Sequence, residues 1–142
     1  MAFIAEVARE VACSPEAAFD RLADHASWRQ WMPPRFFPAG PSVGPLVVGK
    51  RPRVRIAHLP LPNTLEVAVA ERGRELTWTG GSALLHARHR FLFEALEKGG
   101  TRIRSVETWD GLLAPLVKPL VLRLAEQIGR EQLEALASAL AK

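Results

Sequence analysis

Two residues in this 142-residue chain have the type and setting for acid–base chemistry: His89 in "ARHRFLF" and Glu107 in "SVETW". Both lie in segments where every second residue is apolar, the pattern of a strand with one buried face. Both fall on the apolar side. A buried carboxylate without a partner is expensive, so Glu107 has to pair with His89, take up a proton, or meet water in a hollow. The pair could be a satisfied structural contact, a device that orients a bound molecule, or an acid/base dyad in which His89 removes a proton beside a carbonyl and Glu107 sets its tautomer. His58 joins them as a third polar residue, placed by alternation with Val54 and Ile56 and followed by the proline-rich "LPLPN". No metal is expected, because neither an HxH nor an HExxH spacing occurs. Cys13 is the only cysteine, which excludes an internal disulfide and a cysteine cluster. No GxSxG marks a nucleophile, and no cofactor is implied.

The elements that must carry these residues follow from turns and periodicity. "FIAEVAREVAC" alternates as a first strand. Ser14 then caps a helix with Pro15 at its first position, and a second short helix runs from about His25 to Trp31 until Pro33 and Pro34 end it. Trp28 and Trp31 lie three apart on it, facing the same way. From Pro41 the texture is strand and glycine-containing turn, an antiparallel meander. With Arg72–Gly73 as one loop, Val67 opposes Trp78 and Val69 opposes Leu76. With Gly80–Gly81 as the next, Trp78 opposes Ala83. With Lys98–Gly100 as the third, His89 opposes Trp109 and Phe91 opposes Glu107. All three turns place one set of side chains together, from Leu65 and Val67 through Trp78, Leu85, Ala87, His89, Phe91 and Phe93 to Ile103, Ser105, Glu107 and Trp109. The other face is rich in arginine, including Arg88, Arg90, Arg102 and Arg104, with Arg104 expected across from Glu94.

From Leu112 to Lys142 the period becomes helical, with an apolar stripe through Leu113, Leu116, Leu120, Leu124, Ile128, Leu136 and Leu140. Pro119 should kink this helix or delay its regular part. The length fits one domain spanning 1–142 with a core of its own. Hydrophobic residues make up 48% of the chain, and no apolar run approaches the ~18 residues of a membrane span. No signal peptide is visible at the N-terminus, so the expected location is the cytoplasm. The formal charge of +4 suits an anionic partner without requiring one.

The order of elements, the opening "SPEAAFDRLAD…W..W.P", the "GK" before the third strand and the ending "HRFLFEALEKGGTRIRSVETWDGLLAPL" resemble the START-related (SRPBCC) superfamily, in its bacterial polyketide cyclase/dehydrase-like branch. That resemblance covers nearly the whole chain. It implies an α+β helix-grip fold: a seven-stranded antiparallel sheet curved around a long C-terminal helix, with two short helices between strands 1 and 2. It also implies a cavity for a hydrophobic small molecule, as in lipid carriers and aromatic polyketide cyclases. The chain has no tyrosine, which weakens a phenol-based mechanism.

The leading expectation is therefore a binding protein for a lipid or an aromatic, polyketide-like metabolite. Trp78, Leu85, Phe91, Phe93 and Trp109 would form its walls, with Leu120 and Leu124 from the helix. Ser105, His89 and Glu107 would supply polarity, and Trp31 and His58 would stand near the mouth. A cyclase/dehydratase using His89 and Glu107 is the second reading. An interaction module meeting acidic protein or RNA through Arg53, Arg55 and the sheet arginines is the third, although no specific nucleic acid is indicated. Homodimerisation stays open.

Overall fold

The computed structural model describes residues 2–142. Strand β1 (Phe3–Val11) leads through Ser14 into helix α1 (Pro15–Ala23). The Ser14 hydroxyl accepts from the Ala17 N–H at 3.1 Å, as an N-cap must, and Pro15 occupies the first turn. Ala18, Phe19 and Leu22 form the buried side of α1. A single 3-10 turn (His25–Ser27) and α2 (Trp28–Trp31) complete the neck before the proline pair.

Eight strands follow from the described residues: β1, β2 (Phe36–Pro38), β3 (Arg53–Ile56), β4 (Asn63–Thr64), β5 (Glu66–Glu71), β6 (Glu75–Gly81), β7 (His86–Ala95) and β8 (Thr101–Asp110). They form two antiparallel sheets rather than one of seven strands, a five-stranded sheet ordered β1-β8-β7-β6-β5 and a three-stranded one ordered β2-β3-β4. β3 is cut short because Ala57 takes a left-handed φ of 49° and breaks the alternation. His58 consequently leaves the face that Val54 occupies and is exposed.

Three registers differ from those the turns imply. A β-bulge between Val67 and Val69 pairs Val69 with Thr77 and Ala70 with Leu76. The β6–β7 loop is Ser82–Leu85, closed by the Ser82 N–H on the Leu85 carbonyl, so Gly80 and Gly81 are strand residues and Trp78 faces His89. The β7–β8 loop is Leu96–Gly100, which puts His89 directly opposite Glu107 and Phe91 opposite Ser105. Glu94 accordingly faces Arg102, while Arg104 bonds Glu6 on β1 at 2.9 Å.

Helix α3 (Ala114–Leu140) continues unbroken through Pro119 and packs chiefly on β1 and β8. Its inward stripe is Ala114, Val117, Val121, Leu124, Ile128, Gln132, Leu136 and Ala139, all buried or half-buried. Leu116 and Leu120 face outward. At Gly129 a Cβ would stand 3.1 Å from Val7 Cγ2, so glycine there lets the helix approach the sheet beside Ser105. The core centre is aromatic: Trp28, wholly buried, lies 5.5 Å from Trp78 between ring centroids, and Trp78 lies 5.0 Å from Phe91.

Candidate functional site

Between the two sheets lies a cavity of about 260 Å³. Trp78, Leu85, Ala87 and Trp109 contribute from the large sheet, and Phe36 and Ile56 from the small one. Asn63, His89 and Glu107 are its polar lining. Leu59 and Leu65 border it as well.

The polar floor is a continuous chain of hydrogen bonds across β7 and β8. His89 Nε2 lies 2.6 Å from Ser105 Oγ, and His89 Nδ1 lies 3.1 Å from Glu107 Oε2. The Trp109 indole N–H donates to Glu107 Oε1 at 2.6 Å. Alternation puts Ser105, Glu107 and Trp109 on one side of β8, and direct cross-strand pairing brings the imidazole to the carboxyl. Aromatic rings hold the imidazole in place, with Phe91 at 4.3 Å and Trp78 at 5.5 Å.

Burial dominates the electrostatics of this floor. It pushes the His89 imidazolium out of favour, to a pKa of about 3, and it raises the Glu107 carboxyl to about 7 against the pull of the Trp109 N–H. Near pH 6 the pair is therefore uncharged. Its proton sits on Glu107, whose O–H donates to Nδ1 while Nε2–H donates to Ser105. Ionisation of Glu107 reverses the chain: Nδ1–H then donates to the carboxylate, and the Ser105 hydroxyl donates to Nε2. Ser105→Ala removes the partner of a buried ring nitrogen and should cost about 1–3 kcal/mol, read as a lower urea midpoint.

Of the residues picked from sequence, Trp78, Leu85, His89, Glu107 and Trp109 line the cavity. Ser105 stands behind it as the second partner of His89. Phe91 and Phe93 are buried in the core beyond its lining. Trp31 is half-buried against that core and donates to Ser27 Oγ at 3.0 Å, away from the cavity. His58 and Leu120 are exposed, and Leu124 packs on the core. These placements have two separate causes: a left-handed residue displaces His58, and a helical segment with apolar residues in every direction conceals which side of α3 is inward. Phe36, Ile56 and Asn63 were missed as lining residues. Only the aromatic pair in "RFFP" hinted at Phe36, because β2 is three residues long and its last residue is a proline.

The outer sheet face is laced with ion pairs. Arg90 bonds Glu75 at 3.3 Å, Arg104 bonds Glu6, and Arg102 and Lys98 approach Glu10 at 3.9 and 3.5 Å. Arg72 makes a two-pronged contact with Asp20 and holds that carboxyl below its usual range.

A mixed α+β architecture, with a long C-terminal helix on an antiparallel sheet, defines the helix-grip class, although the cavity takes its lining from the two sheets and their loops and none from α3. The chain belongs to the family described as polyketide cyclase / dehydrase and lipid transport, whose model matches residues 2–141. Among solved structures, a protein of Mesorhizobium loti is 17% identical with a TM-score of 0.76, covering 98% of this chain and 97% of its own. A hypothetical protein of Helicobacter pylori is 15% identical with a TM-score of 0.76, covering 98% and 88%. DynU16, from the dynemicin biosynthetic locus, is 14% identical with a TM-score of 0.73, covering 98% of this chain and 47% of its own. No curated protein matches the sequence significantly.

Proposed function

We propose that this chain is a single ligand-binding domain, working in the cytoplasm, that takes up one compact, uncharged, apolar molecule with one or two rings and a carbonyl or hydroxyl group. The carrying observation is an aromatic-walled cavity of about 260 Å³ with its polar lining at Asn63, His89 and Glu107. Drug-sized ligands occupy roughly 300–1,000 Å³, whereas a cavity of about 150 Å³ already holds benzene. The volume favours an aromatic metabolite over a long-chain lipid. An ionised ligand would face an uncharged floor and lose its hydration without compensation. The His89 tautomer switch supplies the orientation: when Nδ1–H donates to Glu107, the acid proton is freed to meet a ligand oxygen.

A bicyclic ketone such as 1-tetralone probes this reading. Saturable binding at pH 6, seen as quenched tryptophan fluorescence and a raised melting temperature, is expected, and Ala87→Trp, which fills the hollow, should abolish it. Absence of saturation, or full binding by a folded Ala87→Trp protein, overturns the reading.

A catalytic role rests on a specific feature, the near-neutral Glu107 that lines the cavity. With His89 held neutral down to about pH 3, the imidazole is too weak a base, and proton transfer falls to Glu107. Catalysed deuterium exchange at the carbon beside the 1-tetralone carbonyl, lost in Glu107→Gln while binding persists, is the expected signature. Unchanged exchange in that variant eliminates it. The arginine-rich face lends little to an RNA-binding role, since Arg90, Arg102 and Arg104 already face carboxylates.

A further inference from the structure

The first half of α3 is apolar on every side. Ala114, Val117, Val121 and Leu124 face the protein, yet Leu116 and Leu120 on the opposite side are 75% and 80% exposed, and Leu112 just before them is 84% exposed. A helix apolar all round is ordinarily buried or in contact with lipid. No helix among the described residues is long and apolar enough to cross a membrane, so α3 would have to lie along a surface.

Charge identifies that surface. From Gly111 to Ala125 the segment carries Lys118 and Arg123 and no carboxylate, and both cations are exposed. Arg123 falls one turn after Leu120 on the bare side. A two-fold pairing of this face with a second copy repeats the same patch and so doubles its positive charge, Glu126 one turn beyond Arg123 being the first acid along the helix. An anionic bilayer offers both an apolar interior for the leucines and headgroups for the cations.

The patch is also continuous with the cavity wall. Leu84, 53% exposed in the β6–β7 loop, accepts the Leu113 N–H through its carbonyl at 2.9 Å. Gly111, at φ 112°, packs so closely on that carbonyl that a Cβ would stand 2.3 Å from it. Loop and helix start are thereby joined, and Leu85 and Trp109 beside them line the cavity. We propose that the N-terminal half of α3, with Leu84, docks in the interface of an anionic lipid bilayer and brings the cavity to the membrane surface. This docking does not depend on which molecule the cavity holds.

Co-sedimentation of the full chain with vesicles of phosphatidylcholine and phosphatidylglycerol (3:1), against phosphatidylcholine alone, tests it. Binding at least about tenfold tighter to the anionic vesicles is expected at low salt. Lys118→Gln with Arg123→Gln should weaken it by roughly 10- to 30-fold, at about a kcal/mol per charge. Leu116→Gln with Leu120→Gln should weaken it by about tenfold or more. Both double variants should keep the parent melting temperature, because the altered side chains are exposed. Equal binding to both vesicle types, wild-type binding by either variant, or a dimer dissolved by Leu116→Gln/Leu120→Gln without vesicle binding would each overturn the proposal.

Discussion

Trp28→Ala lowers the unfolding free energy by about 3–5 kcal/mol and the melting temperature by roughly 10 °C or more. Trp28 is wholly buried, and its indole N–H donates to the Leu22 carbonyl at 2.8 Å. Its ring touches His25 at 4.8 Å, Trp78 at 5.5 Å and Phe36 at 6.1 Å, tying the neck helices to both sheets. Truncation thus combines a large void with an orphaned carbonyl. Trp31→Ala, at the half-buried neighbour, is the internal comparison and should cost markedly less. Equal melting temperatures for the two variants, by circular dichroism, would contradict this division.

The second large effect is a pH profile of stability set by the floor of the cavity. Glu107 has a folded pKa raised to about 7 from 4.5, so its stabilising contribution is complete below pH 4.5 and is lost as pH rises through 7. His89 has a folded pKa lowered to about 3 from 6.5, so its contribution is complete above pH 6.5 and is lost as pH falls toward 3. Between roughly pH 4.5 and 6.5 the unfolded chain holds one proton on the histidine and the folded chain holds one on the glutamate, and the slope from the pair is near zero. The pair therefore gives a plateau with loss on both sides. The acid loss, between pH 4.5 and 3, amounts to about 2 kcal/mol, and the alkaline loss, confined to the interval between 6.5 and 7, to about 0.7 kcal/mol. Glu107→Gln, which imitates the protonated acid, should erase the alkaline limb and the plateau together, so that stability rises with pH from about 3 to 6.5 under His89 alone. A wild-type profile that keeps rising from pH 5 to 8 in urea titrations would contradict the assignment.

Much of this site was legible because strand periodicity is forgiving. The β7–β8 register differs by two residues from the one the "KGG" turn suggests, and the β6–β7 register by six. An even slip keeps every side chain on its face, so His89, Ser105, Glu107 and Trp109 stayed together on the inner side. What an even slip does change is the partner: His89 moves from Trp109 to Glu107, which converts a diagonal neighbour into a hydrogen-bonded one. The helix was less legible. In "LLAPLVKPLVLRLA" apolar residues occupy every direction, so no moment selects the inward stripe, and the leucines at 116 and 120 turned out to face away. Gln132 illustrates the converse, a polar residue on the inward stripe, buried with neither amide atom bonded within the protein. Of the small sheet only β3 was legible, by the alternation of Val54 and Ile56 with Arg53 and Arg55, since β2 and β4, of three and two residues, carry too little alternation to read.

The most direct test of the account is the ¹⁵N spectrum of the His89 ring, followed from pH 4 to 8 with and without 1-tetralone. A neutral imidazole throughout, with the proton on Nε2 at low pH and on Nδ1 above about pH 7, is predicted, and at pH 6 the ketone should move the proton to Nδ1. An imidazolium appearing with a midpoint near 6.5 and indifferent to the ketone would show a solvated, empty-handed histidine and contradict the account.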